Sequence, residues 1–140
     1  QLIHAAGAPK IALQILFCPW VDMTADTRSM NAYAENHILE RNMLEWAMRH
    51  YAADPHDVRA SPGLAKDLGG LPHTAEFDPL VDEGAAYAER LKQAGVSVRY
   101  TCHPGMVHHF YALAGAIPYG RPMLTQVGSE VRAVLDHNRV

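Results

Sequence analysis

Cysteine is scarce in this chain, whose 140 residues include only Cys18 and Cys102. Two cysteines cannot build the network of disulfide bridges that holds small secreted domains together. The sequence also shows no pattern of a secretory signal peptide. We therefore expect a cytoplasmic protein.

Long hydrophobic runs and a strong charge of either sign are also missing. The longest apolar stretch, 11–21, contains Pro19 and is shorter than the roughly 20 residues that cross a bilayer. The formal net charge of -3 is too small to attract nucleic acid or an anionic membrane, and no basic patch compensates for it. We therefore expect no membrane span and no nucleic-acid partner. Histidine, by contrast, is abundant, with nine residues.

Strand and helix patterns alternate along the chain, which has the length of one domain. Strand patterns occupy three stretches: 11–18, 73–77 and 96–102. Helical spacing of apolar residues occupies three others: 41–51, 82–94 and a final stretch that Pro122 opens. The polar stretch 22–37 is expected to be irregular. This alternation predicts an α/β fold, a parallel β-sheet with helices on both faces.

Polar residues that follow the predicted strands are the candidates for function. Parallel sheets bind ligands at the carboxyl ends of their strands, which here are followed by 19–22, 78–80 and 103–109. An acid after one strand can hold a histidine after its neighbour in one tautomer and stabilise its charge. Asp78 is the candidate acid, although a residue before a helix could also serve as a cap or a turn.

Five segments together resemble the carboxyl-terminal half of the hormone-sensitive lipase family of α/β-hydrolase fold esterases. They are PWVDMT, NMLEWAMRHYA, RASPGLAKDLGGLP, FDPLVDEG and HPGMVHHF. The resemblance implies a carboxylic ester hydrolase for small-molecule, short-chain acyl esters that uses a Ser-His-Asp triad and no metal or cofactor. It implies that Asp78 is the triad acid and His108 the base, and that the loop around Trp20 helps to wall the substrate pocket. It also implies a possible homodimer through the last strand.

The nucleophilic serine of that family has no counterpart among the four serines of the chain. None lies in a Gly-x-Ser-x-Gly elbow, and the His-Gly-Gly oxyanion segment is missing too. We therefore interpret residues 1–140 as a single partial α/β-hydrolase domain that lacks the nucleophile-bearing amino-terminal half. By itself it should have little esterase activity, since the nucleophile and the oxyanion donors supply the largest effects.

Two further departures bear on the geometry of the candidate pair. Only 73–77 remain for the strand that delivers Asp78, so either 69–71 join that strand or residues are absent from the sequence. His109 stands where the family carries Gly, which adopts backbone angles that other residues avoid. His109 could thus replace His108 as the base, although the spacing favours His108.

Two rival interpretations remain open. A zinc site could use His103, His108 and His109 with help from Asp78 or His73, but their spacing fits no standard zinc motif. The chain could also be a noncatalytic or decayed domain, which the missing nucleophile favours.

The remaining notable residues receive structural interpretations. Asp82 and Glu83 are expected to stabilise the start of their helix. The two cysteines are expected to be small buried hydrophobes without an activated thiolate. A core rather than a pocket is expected for the apolar face of the first long helix: Met43, Trp46 and Tyr51.

Overall fold

The computed structural model describes residues 13–51, 53–64 and 71–137, which contain a three-stranded sheet. Its strands are β1 (Ile15–Phe17), β2 (Leu71–Phe77) and β3 (Thr101–Val107). The spatial order is β1-β2-β3, and both pairs are parallel. The prediction of an α/β fold with a parallel sheet is confirmed. Because the strands are parallel, their three carboxyl ends lie on the same side of the sheet.

Four α-helices accompany these strands in the described part of the chain. They are α1 (Arg28–Ala32), α2 (Arg41–Tyr51), α3 (Val81–Gln93) and α4 (Gly120–His137), with short 3₁₀ helices at Pro62–Leu64 and Phe110–Leu113. The predicted helices at 41–51 and 82–94 are confirmed to within one residue at each end. Helix α1 was missed inside a stretch expected to be irregular, where the Thr27 hydroxyl caps it by accepting a hydrogen bond from the Met30 N–H.

The helices cover both faces of the sheet, because successive residues of a strand point to opposite sides. Met123 and Val127 of α4 pack with Phe17 and Ala75 on one face. Tyr87 and Leu91 of α3 pack with Leu16 and Val21 on the other face. Burial on both sides explains why β1 is apolar without alternation.

The central strand is longer than the sequence indicated. Leu71 and Pro72 belong to β2, where they pair with Ile15 and Leu16 of β1. Strand β2 therefore has seven residues, and Asp78 directly follows it. The sequence left two explanations for the short segment before Asp78. The structure supports the one in which residues before His73 join the strand, and it does so for Leu71 and Pro72. Residues 69 and 70 lie outside the described part of the chain.

The two outer strands lie differently from their predicted positions. β1 is confined to Ile15–Phe17, and residues 11 and 12 lie outside the described part. β3 begins at Thr101, so the prediction of a strand at 96–102 was wrong. The position of β3 is determined by its pairing with β2. This pairing begins with His73 opposite Thr101 and ends with Phe77 opposite Val107. The alternation at 96–100 instead reflects Val96 and Val98 packing against α3 as a loop.

β3 lies at an edge of the described sheet, with β2 as its hydrogen-bonded neighbour there. The homodimer expected through the last strand stays a prediction. In the part of the chain that the structure describes, no helix is both long and apolar enough to cross a membrane.

Helix α3 approaches the central strand closely at a glycine. A Cβ added at Gly84 would lie 2.5 Å from Cγ2 of Thr74 in β2. We expect Gly84→Ala to lower the free energy of unfolding by about 1–3 kcal/mol, because the helix or the strand must move to accept the methyl group. Urea unfolding followed by circular dichroism measures this change.

Gly128 in α4 provides the matched control, since a Cβ there would meet nothing within 4 Å. Gly128→Ala should be neutral or stabilise the protein by up to about 1 kcal/mol through helix propensity alone. A Gly84→Ala variant that is as stable as the unchanged protein would contradict the close approach.

Candidate active site

Asp78 and His108 lie together where the sheet ends. Asp78 directly follows β2 and is fully buried, and His108 directly follows β3 and is 8% exposed. His108 Nδ1 lies 2.8 Å from Asp78 Oδ2. Asp78 Oδ1 accepts a hydrogen bond of 2.9 Å from the Leu80 N–H. The carboxylate therefore closes the turn before α3 and also holds the histidine, while its role as a triad acid stays a prediction.

The hydrogen bond to Asp78 determines which nitrogen of His108 can act as a base. When the ring is neutral and Nδ1 donates to the carboxylate, Nε2 carries the free lone pair. No hydrogen bond from another described residue reaches Nε2. The geometry is that of an imidazole held ready to accept a proton at Nε2.

His109 occupies a left-handed backbone conformation, with φ 56° and ψ 22°. Glycine adopts this region freely, which explains why the hormone-sensitive lipase family carries Gly where this chain has His109. The ring of His109 stacks on the ring of His108, with the ring centroids 4.2 Å apart. Of the two histidines, His108 is the one that is hydrogen-bonded to Asp78.

A cavity of about 660 Å³ opens beside His108. Trp20, the candidate substrate-binding residue, lines it together with Leu39 and Leu80. Trp20 Nε1 is buried and has no hydrogen-bond partner among the described residues. The cavity is thus a largely apolar space that His108 borders, with Arg49 as a charged residue at its wall.

Helix α2 also faces this cavity, which corrects the expectation that its apolar face is core. Met43 and Trp46 line the cavity and are 49% and 58% exposed, and Tyr51 is 63% exposed. Leu44 is the buried residue of the helix. Helical spacing reveals an apolar face, but it does not show whether another element covers that face.

Asp82 and Glu83 lie in the first turn of α3 as predicted, but their carboxylates bind other segments. Glu83 Oε1 accepts hydrogen bonds from the backbone N–H groups of Val21 at 2.7 Å and Asp22 at 3.3 Å. Asp82 Oδ2 accepts one from the Ser29 N–H at 2.7 Å. The two acids therefore tie the segment after β1 and the start of α1 to the residues around Asp78.

Burial changes the acidity of Glu83. It is 4% exposed, and its burial raises the pKa of the carboxyl to about 7, with smaller contributions from the charges of Asp22 and Asp78. The two backbone hydrogen bonds act in the opposite direction. A carboxyl group that links two segments therefore changes charge near neutral pH.

Cys18 directly follows β1 and lies beside the pair, a position that the sequence interpretation did not connect with function. It is 5% exposed, as expected, whereas Cys102 is only half-buried. Burial and the charge of Asp78 raise the pKa of the Cys18 thiol to about 12, so the thiol stays protonated at neutral pH. The rule that drew attention to Asp78, a polar group directly after a strand, also applies to Cys18.

The zinc set proposed from the sequence is not assembled. Within the described residues, the one group of three possible metal ligands is Cys18, Asp78 and His108, whose ligand atoms lie within 4.8 Å of one another. His103 is elsewhere, with Nδ1 3.0 Å from the Tyr119 hydroxyl and Nε2 3.4 Å from His73 Nδ1.

His73 and His103 form a second buried polar cluster under α4. Burial lowers the pKa of both imidazoles, which favours their neutral forms. Glu130 of α4 lies 3.9 Å from His73 and is paired with Arg99 at 3.0 Å. These contacts help to hold the last helix on the sheet, and they give a structural role to two histidines that the rival zinc interpretation had included.

The serines of the chain lie away from His108. Ser29 Oγ donates to the Pro79 carbonyl, Ser61 Oγ to that of Pro55 and Ser129 Oγ to that of Thr125. Ser97 is exposed in the loop before β3. None of the four is hydrogen-bonded to His108 among the described residues.

Comparison with known proteins identifies relatives of this arrangement. A family model described as the alpha/beta hydrolase fold matches residues 1–112. The carboxylic ester hydrolase LipN of Mycobacterium tuberculosis is 38% identical over 115 residues, which cover 76% of this chain and 31% of that protein. The ethyl acetate hydrolase of Pseudomonas putida is 35% identical over 119 residues, which cover 79% of this chain and 36% of that protein.

Solved structures agree with these matches. A thermostable esterase from Pseudomonas putida ECU1011 superposes with a TM-score of 0.88 at 34% identity, covering 96% of this chain and 46% of that one. The carboxylesterase EstE1 from a metagenomic library also reaches 0.88, at 33% identity, covering 96% of this chain and 49% of that one. The chain spans between about a third and a half of the length of the relatives that it matches.

The acidity of Glu83 predicts a specific pH dependence of stability. A carboxyl whose pKa is raised on folding favours the folded state below its usual pKa of 4.5, and this contribution is lost as the pH rises through about 7. We expect the stability of the unchanged protein relative to Glu83→Gln to fall between pH 4.5 and 7, by about 3 kcal/mol at most. Urea unfolding at several pH values measures the difference.

Glu89→Gln is the matched control, because Glu89 is exposed on the same helix and pairs only with Lys92 in the described structure. Glutamine at position 83 keeps an oxygen that can accept from the Val21 N–H. A difference between the unchanged protein and Glu83→Gln that stays constant with pH would show that this carboxyl does not titrate as inferred.

Proposed function

The chain belongs to the alpha/beta hydrolases of the hormone-sensitive lipase family, and from this membership we propose that it supplies the acid and the base of a serine carboxylesterase. Its relatives are carboxylesterases, which supports ester hydrolysis as the reaction. The observation that carries the proposal is the 2.8 Å contact between His108 Nδ1 and the buried carboxylate of Asp78. In this proposal, His108 is the general base and Asp78 its partner.

The proposed mechanism divides the work between this chain and groups outside its 140 residues. A serine from outside attacks the ester carbonyl, and His108 Nε2 accepts the serine proton. The protonated ring then donates that proton to the oxygen of the leaving alcohol. Asp78 keeps Nδ1 protonated and stabilises the positive charge that His108 carries between the two steps. Oxyanion donors also come from outside these residues.

The cavity supports small, apolar esters as substrates. Most of its lining is apolar and includes Trp20, Leu39 and Met43, which offer contact to an alkyl chain, while Arg49 is the charged residue at its wall. A relative named ethyl acetate hydrolase supports a short acyl group. Hydrolysis of 4-nitrophenyl esters of increasing acyl length tests this, and we expect kcat/KM to be highest for chains of a few carbons. A maximum at long acyl chains would contradict the short-chain proposal.

Substitution of the pair tests the catalytic assignment. We expect Asp78→Asn to lower kcat by roughly 10⁴-fold, because the amide favours the wrong tautomer of His108. His108→Ala should lower kcat by a similar factor, since no base remains. Both effects are measured by steady-state ester hydrolysis with folding checked by circular dichroism.

His56→Ala is the control for the removal of an imidazole, since His56 is exposed in a loop outside the candidate site. It should leave kcat unchanged. Well-folded Asp78→Asn and His108→Ala proteins that retain full activity would disprove the roles assigned to this pair.

The position of the nucleophile is tested by intact mass spectrometry with a fluorophosphonate probe. We expect the protein to be heavier than 15.4 kDa and to gain one probe mass on a serine outside these 140 residues. A protein of 15.4 kDa that gains none would favour a noncatalytic domain. Labelling of one of the four serines in this sequence would contradict the mechanism.

A further inference from the structure

Three side chains of different chemistry converge where the three strands end. Cys18 follows β1, Asp78 follows β2 and His108 follows β3. Their exposed fractions are 5%, 0% and 8%, and their possible ligand atoms all lie within 4.8 Å of one another. The described part of the chain contains no other group of three His, Cys, Asp or Glu residues in such an arrangement.

These three groups offer the donors that zinc prefers. Zinc takes cysteine sulfur at about 2.3 Å and histidine nitrogen or carboxylate oxygen at about 2.0–2.2 Å, usually in a tetrahedron. Donor atoms around such an ion lie roughly 3.3–3.6 Å apart. The widest separation in the group must therefore shrink by up to roughly 1 Å, whereas His108 Nδ1 and Asp78 Oδ2, which are 2.8 Å apart, must separate by about half an ångström. Three protein ligands leave a fourth position for water, as in exchangeable zinc sites.

Access to the group exists without a rearrangement of the fold. Cys18 and His108 both line the cavity of about 660 Å³ beside α2. Two of the three proposed ligand residues therefore border a space that a hydrated ion can enter. The sulfur ligand selects the cation, because hard ions such as Mg²⁺ prefer oxygen ligands and gain little from sulfur.

We propose that Cys18, Asp78 and His108 form a binding site for a thiophilic divalent cation such as Zn²⁺ or Co²⁺, and that occupation of this site inactivates the acid–base pair. The cation replaces the hydrogen between His108 and Asp78 by bonds to Nδ1 and to a carboxylate oxygen. The thiol of Cys18 becomes a thiolate when it binds.

Binding of the cation rearranges the protons of the three ligands. The Cys18 thiol releases one proton to solvent, and the proton on His108 Nδ1 is exchanged through water for one on Nε2. The imidazole stays neutral and Asp78 stays a carboxylate. Because Nε2 then carries a hydrogen, it cannot accept a proton from a nucleophile. This loss of activity rests on the proposed function, whereas binding of the cation does not.

Cobalt binding tests the site without reference to activity. A cobalt–thiolate bond produces a charge-transfer absorption band in the near ultraviolet, which shows sulfur as a ligand. We expect the metal-free protein to develop this band on titration with Co²⁺, with one ion bound per chain, and Zn²⁺ to displace the Co²⁺ and abolish the band. Failure of the unchanged protein to develop the band would overturn the proposal.

The second cysteine provides the matched control. Cys102 lies on β3 outside the group of three, so Cys102→Ser should keep the band and bind Zn²⁺ with unchanged affinity by calorimetry. Cys18→Ser should lose the band and bind Zn²⁺ more weakly by over 100-fold, more than the roughly 10- to 100-fold effect of an outer partner. The Cys102→Ser result remains decisive if Cys18→Ser fails to fold. A band lost in Cys102→Ser, or kept in a folded Cys18→Ser protein, would overturn the proposal.

Inhibition links the site to the reaction. Zn²⁺ should inhibit ester hydrolysis by the unchanged protein, and Cys18→Ser should need at least tenfold more Zn²⁺ for the same inhibition. If the cobalt band appears and Zn²⁺ leaves turnover unchanged, the inactivation part is wrong. If the protein binds Co²⁺ through Cys18 but neither hydrolyses esters nor reacts with a fluorophosphonate, the proposed function fails and the cation site stands.

Discussion

The carboxylate of Asp78 is the group around which the rest of the site is built. A fully buried charge is costly unless hydrogen bonds compensate for it. One oxygen of Asp78 accepts from the Leu80 N–H and the other lies 2.8 Å from His108 Nδ1. The same carboxylate therefore stabilises the turn that leads into α3 and favours the tautomer of His108 that has a hydrogen on Nδ1. A change at this position would disturb a turn and a base together.

Parallel pairing explains why so many polar groups surround that carboxylate. Because all described strands run in one direction, the segments that follow them leave the sheet at the same edge. Asp82 and Glu83, which follow β2, hold two points of the stretch that follows β1 through the backbone N–H groups of Ser29 and Val21. The first turn of α3 thus joins the stretch after β1 to the residues after β2, which are more than 50 positions away in sequence. A buried acid used in this way both positions Trp20 and gives the region a group that titrates near neutral pH.

Two local features near His108 lower the stability of the protein. His109 adopts a left-handed conformation that costs a residue with a side chain about 1–2 kcal/mol, and its ring stacks on His108. Helix α2 leaves Met43 and Trp46 exposed beside the cavity instead of in the core. Both features lie next to His108, where an open apolar wall and a fixed ring orientation suit a binding site better than a stable core.

The sequence by itself determined the fold class, the bounds of α2 and α3 and the identities of Asp78 and His108 as candidates. The fold class, the helix bounds and Asp78 follow from local rules, namely hydrophobic periodicity and the position of polar residues after strands. His108 was singled out by the resemblance of its segment to the family. Only the tertiary structure decided the start of β3, the extension of β2 to Leu71 and the approach of Cys18, Asp82 and Glu83 to the site. Strand register depends on the partner strand, and the environment of a side chain depends on segments distant in sequence. No pattern within a single element contains that information.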